Sequence, residues 1–146
     1  MYKHILVPTD GSALSLKAAR AAARLAAPLK ARITALHVIA PFDPPIHGEA
    51  LAVGLDHLAA ICEKSARSHA KKALGKVAAA AGDIRCDSAT AVHRSPWLAI
   101  VETAKAKKCD LIVMASHGRR GLAGLLIGSE TQKVLTHSKI PVLVCR

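Results

Sequence analysis

Two kinds of segment alternate along the chain. Short runs rich in β-branched and other apolar residues fall at Ile5 to Val7, Ile33 to Ile39, Ile84 to Val92, Leu111 to Val113 and Ile140 to Val144. Between them lie longer stretches in which apolar positions recur with helical period. In the first, Leu14, Ala18, Ala21, Ala22, Leu25 and Leu29 share a face opposite Lys17, Arg20 and Arg24. In the second, Leu55, Leu58, Ala59, Cys62, Ala66, Ala73 and Val77 form the stripe, with Lys64, Arg67 and Lys71 on the far side. A third starts at Ser95-Pro96, a helix cap followed by proline at the first helical position, and turns Trp97, Val101 and Ala104 inward. A fourth starts at Gly128-Ser129, where Ser129 and Gln132 have the spacing of a capping box, and runs to about His137, ahead of Pro141.

The order β-α-β-α-β-α-β-α-β predicts an α/β fold, a single doubly wound parallel five-stranded sheet with helices on both faces and right-handed crossovers. Runs that are apolar on both sides, such as Leu111 to Met114 and Pro141 to Val144, suit strands covered on both faces. There is no internal repeat, low-complexity linker or composition break, so residues 1–146 read as one domain. The segment from Pro41 to Gly54, with Pro41, Pro44 and Pro45 clustered, is the one long connection, either a lid or a long loop.

Composition narrows the function classes. The 146 residues are 51% hydrophobic with a mean hydropathy of +0.28, which excludes a disordered chain. No apolar run approaches the ~20 residues of a membrane span, and the apolar start is too short for a signal peptide. The cysteines Cys62, Cys86, Cys109 and Cys145 are scattered and read as reduced core residues. The expected location is cytoplasmic. Lys and Arg exceed Asp and Glu by 21 to 10, a net charge of +11 that favours an anionic partner. Aromatics make up only 2%, leaving little for base stacking, so nucleic acid is not the expected partner.

In an open parallel sheet, ligands sit beyond the carboxyl ends of the strands, where strand order reverses. Two loops there stand out. The first strand ends in Pro8-Thr9-Asp10-Gly11-Ser12, which also reads as an ordinary turn with Ser12 as the next helix cap. The fourth ends in Ala115-Ser116-His117-Gly118-Arg119-Arg120-Gly121-Leu122-Ala123-Gly124 and leads to Gly128-Ser129 at a helix start. Glycines that let backbone N–H groups face inward, a helix N-terminus and Arg119 and Arg120 are the parts of a phosphate cradle. A helix N-terminus contributes only about 0.3–1 kcal/mol toward an anion, whereas micromolar binding needs about 8. Useful affinity therefore requires a larger ligand. A purine base against the second strand, around His37-Val38-Ile39, meets that need. No GxxxxGK[ST], strand-following GxGxxG, GxSxG or HExxH pattern is present, and the histidines lack metal-ligand spacing. His117 is the one candidate general base near the loop, and it reads better as a loop-orienting residue.

With these residues in hand, the sequence resembles the universal stress protein family along its whole length. The likeness lies in Ile5-Leu6-Val7-Pro8-Thr9-Asp10-Gly11-Ser12, in Leu111 to Leu122 with Leu126-Ile127-Gly128-Ser129, and in Lys139-Ile140-Pro141-Val142-Leu143-Val144. The ATP-binding branch carries G-x2-G-x9-G-[ST]. Here the second glycine is Gly118, the closing pair is Gly128-Ser129, and Ala115 stands for the first glycine. Where that position requires positive φ, the Cβ costs about 1–2 kcal/mol, or roughly tenfold in affinity. Where only close packing is required, alanine is tolerated or its methyl crowds a phosphate.

The resemblance implies an adenine nucleotide alpha-hydrolase-like, Rossmann-type fold and an ATP site, with Mg2+ accompanying the phosphates. Pro8, Thr9 and Asp10 would line the nucleoside side, and Val38 would hold the adenine through its backbone. Ala115, Gly118, Gly128, Ser129, Glu130 and Thr131 would surround ribose and phosphates, and Arg119 adds charge. The resemblance also implies a homodimer through the final strand, residues 140–145. The expected function is a nucleotide-dependent stress or regulatory protein with little or no fast catalysis. The alternatives are a non-nucleotide regulatory dimer of the same fold, in which Ala115 marks a lost site, and a basic nucleic-acid-associated protein.

Overall fold

The computed structural model describes residues 1–44, 54–118 and 127–146. Among these residues, five strands and four helices alternate: β1 (His4–Pro8), α1 (Ala13–Leu29), β2 (Arg32–Ile39), α2 (Leu55–Ala81), β3 (Cys86–Val92), α3 (Pro96–Ala106), β4 (Leu111–Ala115), α4 (Ser129–His137) and β5 (Val142–Cys145). The strands form one all-parallel sheet in the order β3-β2-β1-β4-β5. Chain order therefore reverses between β1 and β4, which pair Ile5 with Leu111 and Leu6 with Ile112.

Alternate residues of the central strands feed two cores, as the period of two requires. Ile5 and Val7 of β1, Ile33 and Ala35 of β2, and Leu111 and Val113 of β4 pack under α1 and α2. Leu6, Leu36, Ile112 and Met114 point the other way, onto α3 and Val134 of α4. β4 is buried at every position, which explains its unbroken apolar run. Ala18, Ala19, Ala22, Ala23 and Ala26 are the buried face of α1, so its backbone lies close against the sheet. None of the described helices is long and apolar enough to cross a membrane.

The expected elements are present, with three corrections of detail. The buried face of α2 is Ala70, Ala73, Leu74, Val77 and Ala81, whereas Leu58 of the expected stripe is 38% exposed. A 27-residue helix runs about 40 Å, but the eight residues of β2 extend only about 26 Å; only the second half of α2 has sheet beneath it. The third strand starts at Cys86, because Ile84 N–H is taken by Ala81 C=O in the turn that ends α2. The fifth starts at Val142, because the Ser138 hydroxyl bonds both the N–H and the C=O of Ile140 and removes them from the ladder.

The four thiols are free, and burial pushes Cys109 up to about 11, leaving an inert core thiol. Residues 45–53 of the long Pro41 to Gly54 connection lie outside the described residues. Just before them, Asp43 receives two hydrogen bonds from Arg94, at 2.6 and 3.2 Å, tying the end of β2 to the loop before α3.

Candidate functional site

The β1–α1 turn is built from its own side chains. Asp10 Oδ1 accepts from Ser12 N–H at 3.0 Å, the turn that aspartate forms by bonding the backbone two residues on. Gly11 sits at φ +81, a left-handed conformation that glycine enters without a Cβ penalty. The Ser12 hydroxyl then accepts Ser15 N–H and caps α1, as its sequence position implies. Thr9 faces inward, its hydroxyl 3.0 Å from Ser15 Oγ and 3.2 Å from Gly11 N–H, which donates to it.

The turn is also held from outside. His37 of β2 donates from Nδ1 to Thr9 C=O at 2.8 Å, and His69 of α2 donates from Nε2 to Asp10 C=O at 3.2 Å. Carbonyls only accept, so these contacts fix which ring nitrogen carries the proton. Lys76 Nζ reaches Gly11 C=O at 3.4 Å. The sequence places His37 only in the stretch expected to meet a purine base and marks no role for His69 and Lys76. None of the three is expected from it to bond the turn, since 28 to 65 residues separate each from its carbonyl.

On the other side of the reversal point, β4 ends at Ala115 and the chain turns through Ser116, His117 and Gly118. The start of α4 is pinned to this strand end: Gly128 N–H donates to Ser116 C=O at 2.8 Å, and the Thr131 hydroxyl donates to Ala115 C=O at 3.0 Å. A Cβ on Gly128 would lie 3.1 Å from both Cα and Cβ of His117, so glycine is what allows this close approach. A Cβ on Gly118 would lie 2.9 Å from Asp10 Oδ2. The two loops singled out in the sequence therefore meet, Asp10 against Gly118. His117 places Nδ1 3.1 Å from the Ser116 hydroxyl, a local bond consistent with orienting the loop.

The helix starts near this crevice differ in what they leave open. Ser12 caps α1. In α3, Pro96 has no N–H, Trp97 N–H donates to Glu130 Oε2 at 2.9 Å, and Leu98 N–H bonds Ser95 C=O. In α4 the cap is Gly128, no side chain among the described residues caps the helix, and the first main-chain bond is Gln132 N–H to Gly128 C=O. The expected capping box at Ser129 is thus corrected: Ser129 is the first helical residue, because the bonds of Gly128 to the β4 loop set the start one residue earlier. The N–H groups of Ser129, Glu130 and Thr131 have no partner within the helix and carry the positive end of its dipole.

The remaining candidate residues divide into three cases. Ala115 lies in extended β4, in register with Cys145, and is 8% exposed; it is not among the positive-φ residues. Of the two readings of this departure, the strained one is excluded, and alanine sits here without backbone cost. Glu130 is at the crevice by its main chain only, because its carboxylate caps α3 and pairs with Lys133 at 3.1 Å. Arg119, Arg120, Gly121 and Gly124 lie outside the described residues.

Pro8 closes β1 opposite Leu36, and Thr9 N–H donates to Leu36 C=O as the last rung of that ladder. In a parallel ladder the backbone groups of alternate residues point to the same neighbour, so Val38 aims its N–H and C=O to the β1 side, one step beyond this rung. The acceptor a further rung would use, Thr9 C=O, already receives the His37 bond. The Val38 side chain packs on the α3 side of the sheet.

A model of the universal stress protein family matches residues 1–146, the full chain. The chain belongs to the universal stress protein family. Among relatives of this family, it is 34% identical to the universal stress protein MJ0531 of Methanocaldococcus jannaschii, over all of this chain and 83% of that protein. It is 32% identical to a Thermus aquaticus universal stress protein over the whole of both. Among solved structures, MJ0577, also of M. jannaschii, superposes with a TM-score of 0.80 at 27% identity, covering 99% of this chain and 96% of that one. A universal stress protein solved in complex with cAMP superposes with a TM-score of 0.63 at 28% identity, over 98% and 95%. The family's five-stranded Rossmann-like sheet is the fold described above.

Proposed function

We propose that this universal stress protein binds an adenine nucleotide, ATP with Mg2+, in the crevice between the β1 and β4 loops. It acts as a nucleotide-responsive regulatory homodimer in the stress response rather than as a fast catalyst. The observation that carries this reading is the meeting of Asp10 with Gly118 beside the start of α4, which no side chain among the described residues caps and which is itself bonded to the end of β4. The donor set suits the ligand. The N–H groups of Ser129, Glu130 and Thr131 would hold phosphate oxygens, Arg119 would add charge, and Pro8, Thr9 and Asp10 would line the nucleoside. The Asp10 carboxylate offers an oxygen ligand of the kind Mg2+ takes. Val38 would read the adenine edge with the backbone groups that the β1 ladder leaves over. The complex of a structural neighbour with cAMP supports an adenine nucleotide as the ligand class.

Catalysis is not expected from this constellation. His117, the nearest base, is engaged with Ser116, and bound nucleotide would act by changing how the two loops and α4 are held. The dimer would form through β5, an edge strand whose Leu143 is 42% exposed. Because Ser116 N–H bonds Cys145 C=O and Ile112 N–H bonds Pro141 C=O, the odd-numbered residues of β5 face β4 and Val144 N–H faces the open edge. Val144→Pro therefore removes an edge donor while sparing the β4 ladder, and light scattering should then report a monomer.

The nucleotide reading is tested by denaturing protein purified without added nucleotide and resolving the supernatant by anion exchange. Co-eluting ATP or AMP, or a thermal shift with millimolar MgATP, is the expected result. Neither one would leave the non-nucleotide dimer. Duplex DNA binding that weakens steeply with salt would instead favour the nucleic-acid alternative.

A further inference from the structure

We propose that α2 is part of the frame of this crevice, with His69 and Lys76 as positioning residues that act through the β1–α1 turn. The inference deepens the nucleotide reading and rests on it for its effect on affinity, while the clamp itself stands on contacts within the protein. Three successive carbonyls of one turn, Thr9, Asp10 and Gly11, each receive a side-chain N–H from elsewhere in the fold: His37 at 2.8 Å, His69 at 3.2 Å and Lys76 at 3.4 Å. The His37 and His69 rings meet edge to face with centroids 5.4 Å apart, so the β2 and α2 donors brace each other. The turn also lies directly on α2, where a Cβ on Gly11 would stand 3.3 Å from Ala73 Cβ and 3.5 Å from His69 Nε2.

The consequence follows from the peptide unit. In a trans peptide the C=O and the next N–H point in opposite directions. Holding the Thr9, Asp10 and Gly11 carbonyls therefore also sets where the amides of Asp10, Gly11 and Ser12 point. It fixes the Asp10 side chain that faces Gly118 as well, since its Oδ1 is bonded to Ser12 N–H within the same turn. A main-chain cradle recognises a ligand only while its peptide planes are fixed, so a shift of α2 would be felt at the ligand. Sites coupled in this way are coupled in both directions.

The test uses the full chain with His69→Ala, His69→Gln and Lys76→Met. The Gln amide keeps an N–H donor, whereas Ala and Met do not. In ligand-free protein, hydrogen exchange at Gly11 and Ser12 should speed up about five- to tenfold in the His69→Ala/Lys76→Met double variant, with β4 amides unchanged. ATP affinity should fall by a similar factor in His69→Ala and return to within about twofold in His69→Gln. Unchanged turn exchange in the double variant, or a Gln variant as impaired as Ala, would overturn the clamp. Should the unmodified protein fail to bind ATP, the nucleotide reading falls, and the exchange measurement still decides whether α2 holds the turn.

Discussion

Glu130→Ala separates a structural from a ligand-binding use of the one carboxylate in the α4 segment of the crevice. Its Oε2 accepts Trp97 N–H at 2.9 Å, while the Ser95 side chain, at the cap position of α3, makes no capping bond. Removing the carboxylate leaves that N–H to water. Loss of a side-chain acceptor at a helix start costs about 0.5–2 kcal/mol, typically near 1. The negative charge at the positive end of the helix adds about 0.3–1 kcal/mol. The Lys133 pair adds little, about 0.3 kcal/mol, because its side chains are 49% and 38% exposed. The total of about 2 kcal/mol corresponds to a melting temperature lower by roughly 4–8 °C for a chain of this size. Scanning calorimetry measures it, with Lys133→Ala as a control expected within about 2 °C of the unmodified protein. ATP affinity, followed by titration calorimetry under conditions where both proteins are folded, should change less than about threefold, because Glu130 is assigned to the crevice by its main chain. A variant that melts with the unmodified protein yet loses tenfold or more in affinity would refute this reasoning and return the carboxylate to the ligand.

Three further substitutions probe other parts of the molecule. Ala115→Gly tests the position read from the sequence as a motif glycine. In an extended, buried strand position it should lower stability by about 1–1.5 kcal/mol and leave ATP affinity within about twofold; a tenfold gain would show that the methyl crowds the ligand. Gly118→Val drives a side chain into Asp10 Oδ2 at the junction of the two loops. It should abolish ATP binding by equilibrium dialysis while the circular dichroism spectrum stays native, and retained binding would move the phosphates elsewhere. His4 is buried, with Nε2 2.8 Å from Thr34 Oγ1, and burial first, then Arg32, holds its pKa below the ordinary 6.5. The unfolded chain therefore takes up the proton first as pH falls below about 6.5, and the contribution of His4 to stability, complete above that pH, declines at up to about 1.4 kcal/mol per pH unit until the folded pKa is reached. Urea unfolding at pH 7.5 and 5.0 should show a smaller acid loss in His4→Asn than in the unmodified protein, and equal losses would remove His4 from the acid response.

What the chain reveals by itself is what is decided within a few residues. The alternation of short β-branched runs with stretches of helical period is enough to order the nine elements, since strands covered on both faces read as unbroken apolar runs and helices bury one stripe. The Asp10–Gly11–Ser12 turn and its cap bond groups two and three residues apart, and are visible for that reason. The rule that ligands gather beyond strand ends then brings the search to the right pair of loops, because parallel topology sends all five strand ends the same way. Local pattern has less hold on α2, where an apolar stripe is present along the helix but only its second half meets the sheet.

Tertiary structure decided which partner each polar group takes. Glu130 is a crevice residue by the family resemblance, yet its carboxylate goes to Trp97, 33 positions away. His69 and Lys76 have no local mark at all, and His37 reads only as facing a base, yet the three hold the turn that the sequence makes most conspicuous. Whether Ala115 is strained depended on its place in the β4–β5 ladder. The physical reason is common to these cases: backbone periodicity is a property of neighbouring residues, whereas a buried hydrogen bond belongs to whichever donor and acceptor the packed sheet and helices bring within about 3 Å.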